Sequence, residues 1–248
     1  MKFRFSLPVL LLALMPFGGH AGQVSVAVAS NFAAPMKQLA AQFEYATGHT
    51  VTISTGATGK FYAQIKNGAL FDVFLAADDA TPARLMREGD AVAKQTYAIG
   101  RLVLWSATPG YVTGNDDALR QSRFKRLAIA NPRLAPYGAA AIEVLTRLKL
   151  ADRVQPKLVV GENIAQTYQF VASGNAELGF VALSQVVRDG KLASGSAWLV
   201  PASLHVPIRQ DAVLLRRGEQ NEAARALFDF LKSPAAALTL TRSFGYER

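Results

Sequence analysis

Cysteine is absent from all 248 residues, and histidine occurs only three times. Without cysteine there is no disulfide framework, no thiolate nucleophile and no lipid attachment point behind a leader. After the first 21 residues the histidines are His49 and His205, each placed where a loop or strand edge is expected. The sequence also lacks a Gly-x-Ser-x-Gly elbow and a His-Glu-x-x-His pair. Hydrolytic and acid–base chemistry are therefore without their parts, and the chain reads as a binding protein rather than an enzyme. Carboxylates are fewer than cations, 18 against 27, giving a formal charge of +9. Nucleic-acid binding would need basic residues interleaved with exposed aromatics. The nearest stretch, Arg120-Gln121-Ser122-Arg123-Phe124-Lys125-Arg126, reads as a solvated helix end or loop.

Long apolar runs are missing beyond the N-terminus, which excludes a spanning helix there. The N-terminus itself has Lys2 and Arg4, an apolar run from Phe5 to Phe17, and small residues at Gly19-His20-Ala21. This is the pattern of a cleaved secretory leader over residues 1–21, with cleavage near Ala21. Loss of Lys2 and Arg4 lowers the charge by two to +7 and leaves 227 residues, enough for a substantial core in one domain or two. A soluble, exported protein with no membrane insertion is expected.

From Val24 onward, short apolar segments alternate with amphipathic ones, the pattern of an α/β fold with mostly parallel strands. Val24, Val26 and Val28 make the first strand. Phe32, Met36, Leu39 and Phe43 then follow at steps of four, three and four on one helical face, with Pro35 in the first turn. Further strands are expected at Val51–Ser54, Phe71–Leu75 and Arg101–Trp105. A second set of strands and helices runs from Leu127 to Leu183. Asp211–Leu215 returns to the first set, and two helices, Gln220–Lys232 and Pro234–Arg242, close the chain. No linker separates the sets. Two lobes joined by crossover strands near 101–105 and 208–215 follow, with residues 22–104 and 206–248 in lobe 1 and residues 105–205 in lobe 2. Asp78 and Asp79, just ahead of Thr81-Pro82, read as helix caps rather than metal ligands.

Ser54-Thr55-Gly56-Ala57-Thr58-Gly59-Lys60 is a strand-to-helix turn of small hydroxyl residues and glycines. It fails as a P-loop, because Ser54 stands at the first required glycine and Phe61 at the magnesium-binding hydroxyl. Lys60 reads as a solvated helix residue. Three further junctions have the same character: Ser30-Asn31, Pro136-Tyr137-Gly138 and Glu162-Asn163-Ile164. Such strand ends line the ligand crevice of open α/β sheets, and helix starts present N–H groups to an anion.

Val28-Ala29-Ser30-Asn31-Phe32, Ser54 to Gly59, Phe71 to Asp78, Asn131-Pro132 with Pro136-Tyr137-Gly138, Leu178 to Gln185 and Phe244-Gly245-Tyr246 together resemble the periplasmic molybdate-binding proteins. The resemblance covers essentially the whole chain after the leader. It implies a two-lobed periplasmic binding protein of type II that captures molybdate or tungstate as a monomer. The ion would go to an ABC transporter permease, and no cofactor is involved. It also implies oxyanion binding by Ser30, Asn31 and Thr58 from the first lobe and by Tyr137 and Ile164, mainly through backbone N–H groups, from the second. Some members place a binding tyrosine where this chain has Ala182, a contact that Asn31 or the Tyr137 hydroxyl would replace. The alternatives are a receptor for sulfate or thiosulfate and, more remotely, a secreted enzyme on the same fold.

Overall fold

The computed structural model describes residues 21–247, so the expected leader lies outside it apart from Ala21. The first elements are β1 (Gln23–Ala29), α1 (Ala33–Thr47), β2 (Thr50–Gly56), α2 (Thr58–Lys66), β3 (Val73–Leu75), α3 (Ala80–Arg87) and β4 (Ala91–Gly100). The chain passes through Arg101 into β5 (Leu102–Ser106), α4 (Asp117–Gln121), β6 (Leu127–Ala130), α5 (Pro136–Arg147) and α6 (Ala151–Val154). It continues with β7 (Leu158–Gly161), α7 (Ile164–Ala172), β8 (Leu178–Ala182), α8 (Leu183–Val186), β9 (Val187–Arg188), β10 (Lys191–Leu192) and β11 (Ser196–Leu199). It returns by β12 (Ile208–Leu215) and ends with α9 (Glu222–Phe230) and α10 (Pro234–Phe244).

Two five-stranded sheets result, in the orders β2-β1-β3-β12-β4 and β11-β5-β8-β6-β7. In the first, β1 is parallel to β2 and β3, while β12 runs antiparallel to β3 and β4. In the second, β6 is parallel to β7 and β8, and β5 is antiparallel to β8 and β11. The apolar periodicity explains the packing. Val24, Val26, Val28, Phe32, Met36, Leu39 and Phe43 are all buried in one core cluster, which also holds Leu227 of α9 and Leu240 of α10. Burying each such side chain contributes about 1.5–3 kcal/mol. Leu127, Ile129, Val144, Leu145, Leu178 and Phe180 form the core of the second sheet.

The strands β4, β9 and β10 escape the sequence pattern. β4 has no clean alternation, because Gln210 of β12 faces Ala98 while Asp211 faces Thr96, leaving Tyr97 as the extra residue of a bulge. The bulge turns Tyr97 inward, to 1% exposure, and breaks the period of two on which strand recognition depends. β4 and β12 thus run side by side in the first sheet. β5, which a division at residues 104/105 would split, lies whole in the second. Among the described residues no helix is long and apolar enough to cross a membrane.

Candidate functional site

Four chain segments converge where the two sheets face each other. A small cavity, about 190 Å³ of empty space, is lined by Ala29, Ser30, Asn31, Gly56, Ala57, Thr58, Ala77, Ala135, Pro136, Tyr137, Asn163 and Ile164. All five residues singled out in the sequence, Ser30, Asn31, Thr58, Tyr137 and Ile164, are therefore brought together. Each is at least nine-tenths buried. Ala182 is fully buried but does not line the cavity.

The backbone explains why these positions meet. Thr58 is the first residue of α2, Tyr137 the second of α5 and Ile164 the first of α7, so their N–H groups have no acceptor within their own helices. Pro136 opens α5 and has no N–H, which makes that of Tyr137 the first available. Asn163 caps α7, its Oδ1 accepting from Ala165 N and Gln166 N at 3.0 Å each, and thereby fixes the direction of Ile164. Ser30 opens a short 3-10 turn directly after β1.

Side chains are held as firmly. Thr58 Oγ1 accepts the N–H of Ala77 at 3.0 Å, so the hydroxyl proton is left to donate elsewhere. Ser30 Oγ makes a long contact of 3.4 Å to Asn163 Oδ1 across the cleft. Asn31 Nδ2 donates to Gln210 Oε1 at 2.9 Å and to Tyr246 Oη at 3.0 Å, while Gln210 Nε2 donates to Tyr137 Oη at 3.1 Å. Phe32 packs edge-on against Tyr97 and Tyr246, with centroids at 4.7 and 5.4 Å. Burial above all pushes the hydroxyls of Tyr137 and Tyr246 well above the usual phenol range, so both stay protonated donors.

No lining residue of this cavity carries a charge. The larger hollow beside it, about 780 Å³, differs in kind: Asp78, Asp79, Arg133, Glu143 and Arg209 stand on its walls. Asp78 accepts from Thr81 N at 2.8 Å and from Thr81 Oγ1 at 3.0 Å, the capping role expected of the pair, whereas Asp79 at the N-cap position itself makes no side-chain cap hydrogen bond. Among the described residues no His/Cys/Asp/Glu cluster fits a metal ion.

Sequence reasoning missed two features. At the mouth, Lys60 Nζ lies 2.5 Å from Glu162 Oε1, so Lys60, read as a solvated helix residue, pairs with Glu162 across the cleft. Beside them Gly59 N donates to Leu134 O at 2.9 Å, where a Cβ on residue 59 would lie 3.2 Å from Leu134 Cα. Beneath the cavity, Gln210, Tyr97, Tyr246 and Ser184 form a buried hydrogen-bonded floor. Ser184 Oγ donates to Asn31 O at 2.9 Å and lies 3.1 Å from Tyr246 Oη. Tyr246 is held there by paired hydrogen bonds between Ile99 and Glu247. The sequence signals were Phe244-Gly245-Tyr246 and, for Ser184, Leu178 to Gln185, which marked the resemblance without suggesting a contact.

Two α/β lobes, joined through strands of one sheet and enclosing a buried set of hydrogen-bond donors, define a solute-binding protein. The family model for bacterial extracellular solute-binding proteins matches residues 24–247. The molybdate-binding protein ModA of Azotobacter vinelandii is 56% identical over 98% of both chains, and that of Rhodobacter capsulatus 50% identical over 91% of this chain and 88% of its own. The solved structure of an Azotobacter vinelandii periplasmic molybdate-binding protein superimposes with a TM-score of 0.88 at 40% identity, over 91% of this chain and 99% of the other. The chain belongs to the bacterial extracellular solute-binding family and groups with its molybdate-binding members.

Proposed function

We propose that the protein captures molybdate in the periplasm, between its two lobes, and delivers it to the permease of an ABC transporter. Ser30, Asn31 and Thr58 bind from the lobe of β1–β4 and β12, and Tyr137 and Ile164 bind from the lobe of β5–β11. The observation that carries this reading is a small cavity whose donors come from four helix or turn starts and which has no charged wall. A fully deprotonated tetrahedral dianion needs only donors, and donors fixed in advance cost little to organise. Helix starts supply partial positive charge without a counter-ion. Tungstate has nearly the same size and charge and binds the same way. The working form is a monomer, since each chain holds a full donor set.

Phosphate keeps a proton near neutral pH and requires an acceptor, which N–H groups do not offer. Sulfate has no such proton, but its shorter bonds leave its hydrogen bonds stretched in a cavity cut for molybdate. Calorimetric titration with molybdate, tungstate, sulfate and phosphate tests the assignment. Tight binding of the first two and weak binding of the others is expected, whereas tight sulfate or phosphate binding without molybdate binding would overturn it.

A further inference from the structure

Gln210 is completely buried on β12, at the bulge that turns Tyr97 inward. It joins both halves of the site, touching Asn31 on one side and the Tyr137 hydroxyl on the other. Gly100 leaves the room for this: a Cβ there would lie 2.1 Å from Tyr137 Oη and 2.3 Å from Gln210 Nε2.

The direction of these hydrogen bonds matters more than their presence. With Asn31 donating to Gln210 Oε1 and to Tyr246 Oη, both of its N–H hydrogens are used, and Asn31 Oδ1 is buried with no partner. Gln210 Oε1 also lies 2.9 Å from Tyr97 Oη, whose single proton has a second acceptor in Ala76 O at 2.8 Å. Turning both amides over together removes the conflict at Tyr97 and gives Asn31 Oδ1 partners, with Tyr246 Oη turning to Oδ1 the proton it otherwise offers to Asn31 O and Ser184 Oγ. Gln210 Nε2 then donates to Asn31 Oδ1 and Tyr97 Oη, Tyr97 donates to Ala76 O, and Gln210 Oε1 accepts the proton of Tyr137. The Asn31 amide hydrogens are released where the partnerless oxygen stood.

We propose that Gln210 is the positioning residue of the oxyanion site: by turning with Asn31, it hands an Asn31 N–H to a bound dianion and withdraws the acceptor that a protonated anion would use. This inference rests on the oxyanion-binding reading. It assigns selectivity against phosphate to a residue that does not line the cavity.

The test compares wild type with Gln210→Glu and Gln210→Met, titrating molybdate and phosphate and measuring unliganded thermal stability. A carboxylate at this position accepts only, so it holds Asn31 in the donating direction toward residue 210 and keeps Oδ1 toward the ligand. Gln210→Glu is expected to weaken molybdate about 100-fold at pH 7.5 and to recover at least tenfold by pH 5.5, as the carboxyl gains a donor proton. The other ionisable groups near this position, Tyr97, Tyr137, Tyr246, Asp78, and Asp211 with its partner Lys94, are common to both proteins, so the wild-type profile is the reference. Gln210→Met is expected to weaken molybdate about tenfold and to narrow its margin over phosphate. If wild type binds molybdate and both variants match it in affinity and selectivity, the inference is wrong while the function stands. If wild type binds no molybdate, both fall. Should the Gln210 variants not fold, Tyr97→Phe keeps Gln210 and still removes a contact to it. A two- to fivefold loss then supports the proposal, and unchanged affinity overturns it.

Discussion

The floor and the mouth of the cleft hold the lobes together by different means. At the floor, Asn31, Gln210, Tyr97 and Tyr137 are each at most 2% exposed and hydrogen-bonded in one uncharged network. At the mouth, Lys60 and Glu162 form an ion pair with side chains 45% and 51% exposed. Low dielectric makes the floor costly to disturb, since any unpaired group there loses its water as well as its partner. The exposed pair gains little, about 0–1 kcal/mol, and salt screens it. The proposed specificity thus rests on the floor, and the mouth contributes at most a weak clasp between the lobes.

That contrast orders the expected effects of perturbation. Gly100→Ala, which places a methyl against Tyr137 and Gln210, should be the most damaging: overpacking of about 1–3 kcal/mol lowers stability, and molybdate affinity falls by about 100-fold. Thermal unfolding and calorimetry on the same sample measure the two losses, and a tolerated alanine would show the floor to be plastic. Next, Thr58→Ala removes a hydroxyl that lines the cavity and accepts from Ala77 N. It should cost about 1.5–3 kcal/mol in anion binding, whereas Thr58→Ser should bind nearly as wild type. An equal loss in both would mean that the threonine methyl rather than its hydroxyl matters.

Lys60→Ala should act at the mouth alone. In stopped-flow measurements at low salt, molybdate dissociation should accelerate by no more than about fivefold, and the difference should vanish near 1 M salt. A larger, salt-independent effect would move the mouth into the same class as the floor. The smallest effect is that of pH. Burial raises the pKa of the Tyr137 and Tyr246 hydroxyls, so the neutral, donating form persists as pH rises. Binding should stay flat from about pH 6.5 to 9.5, below the ordinary phenol pKa of about 10. A loss of affinity across that window would show that a hydroxyl deprotonates in the site.

The same contrast explains what the sequence made legible. Ser30, Thr58, Tyr137 and Ile164 stand at strand-to-helix junctions, where proline, small polar residues and the onset of apolar periodicity mark the backbone itself. Local pattern therefore placed them, along with most strands and helices. Gln210 and Tyr97 meet only through antiparallel pairing of β4 and β12, 113 residues apart along the chain, at a bulge that erases the alternation of β4. Lys60 and Glu162 likewise meet only because the two lobes face each other, and an isolated lysine or glutamate at a helix start looks solvated. Tyr246 reaches the floor because the chain end pairs with Ile99, which no local signal announces.

The central claim is that one oxyanion is held by uncharged donors from both lobes. The most direct measurement is a crystal structure with molybdate, the metal located by its anomalous scattering. One peak is predicted, enclosed by Ser30, Asn31, Thr58, Tyr137 and Ile164. A peak instead among Asp79, Arg133 and Arg209 in the neighbouring hollow, or none at saturating molybdate, would contradict the account.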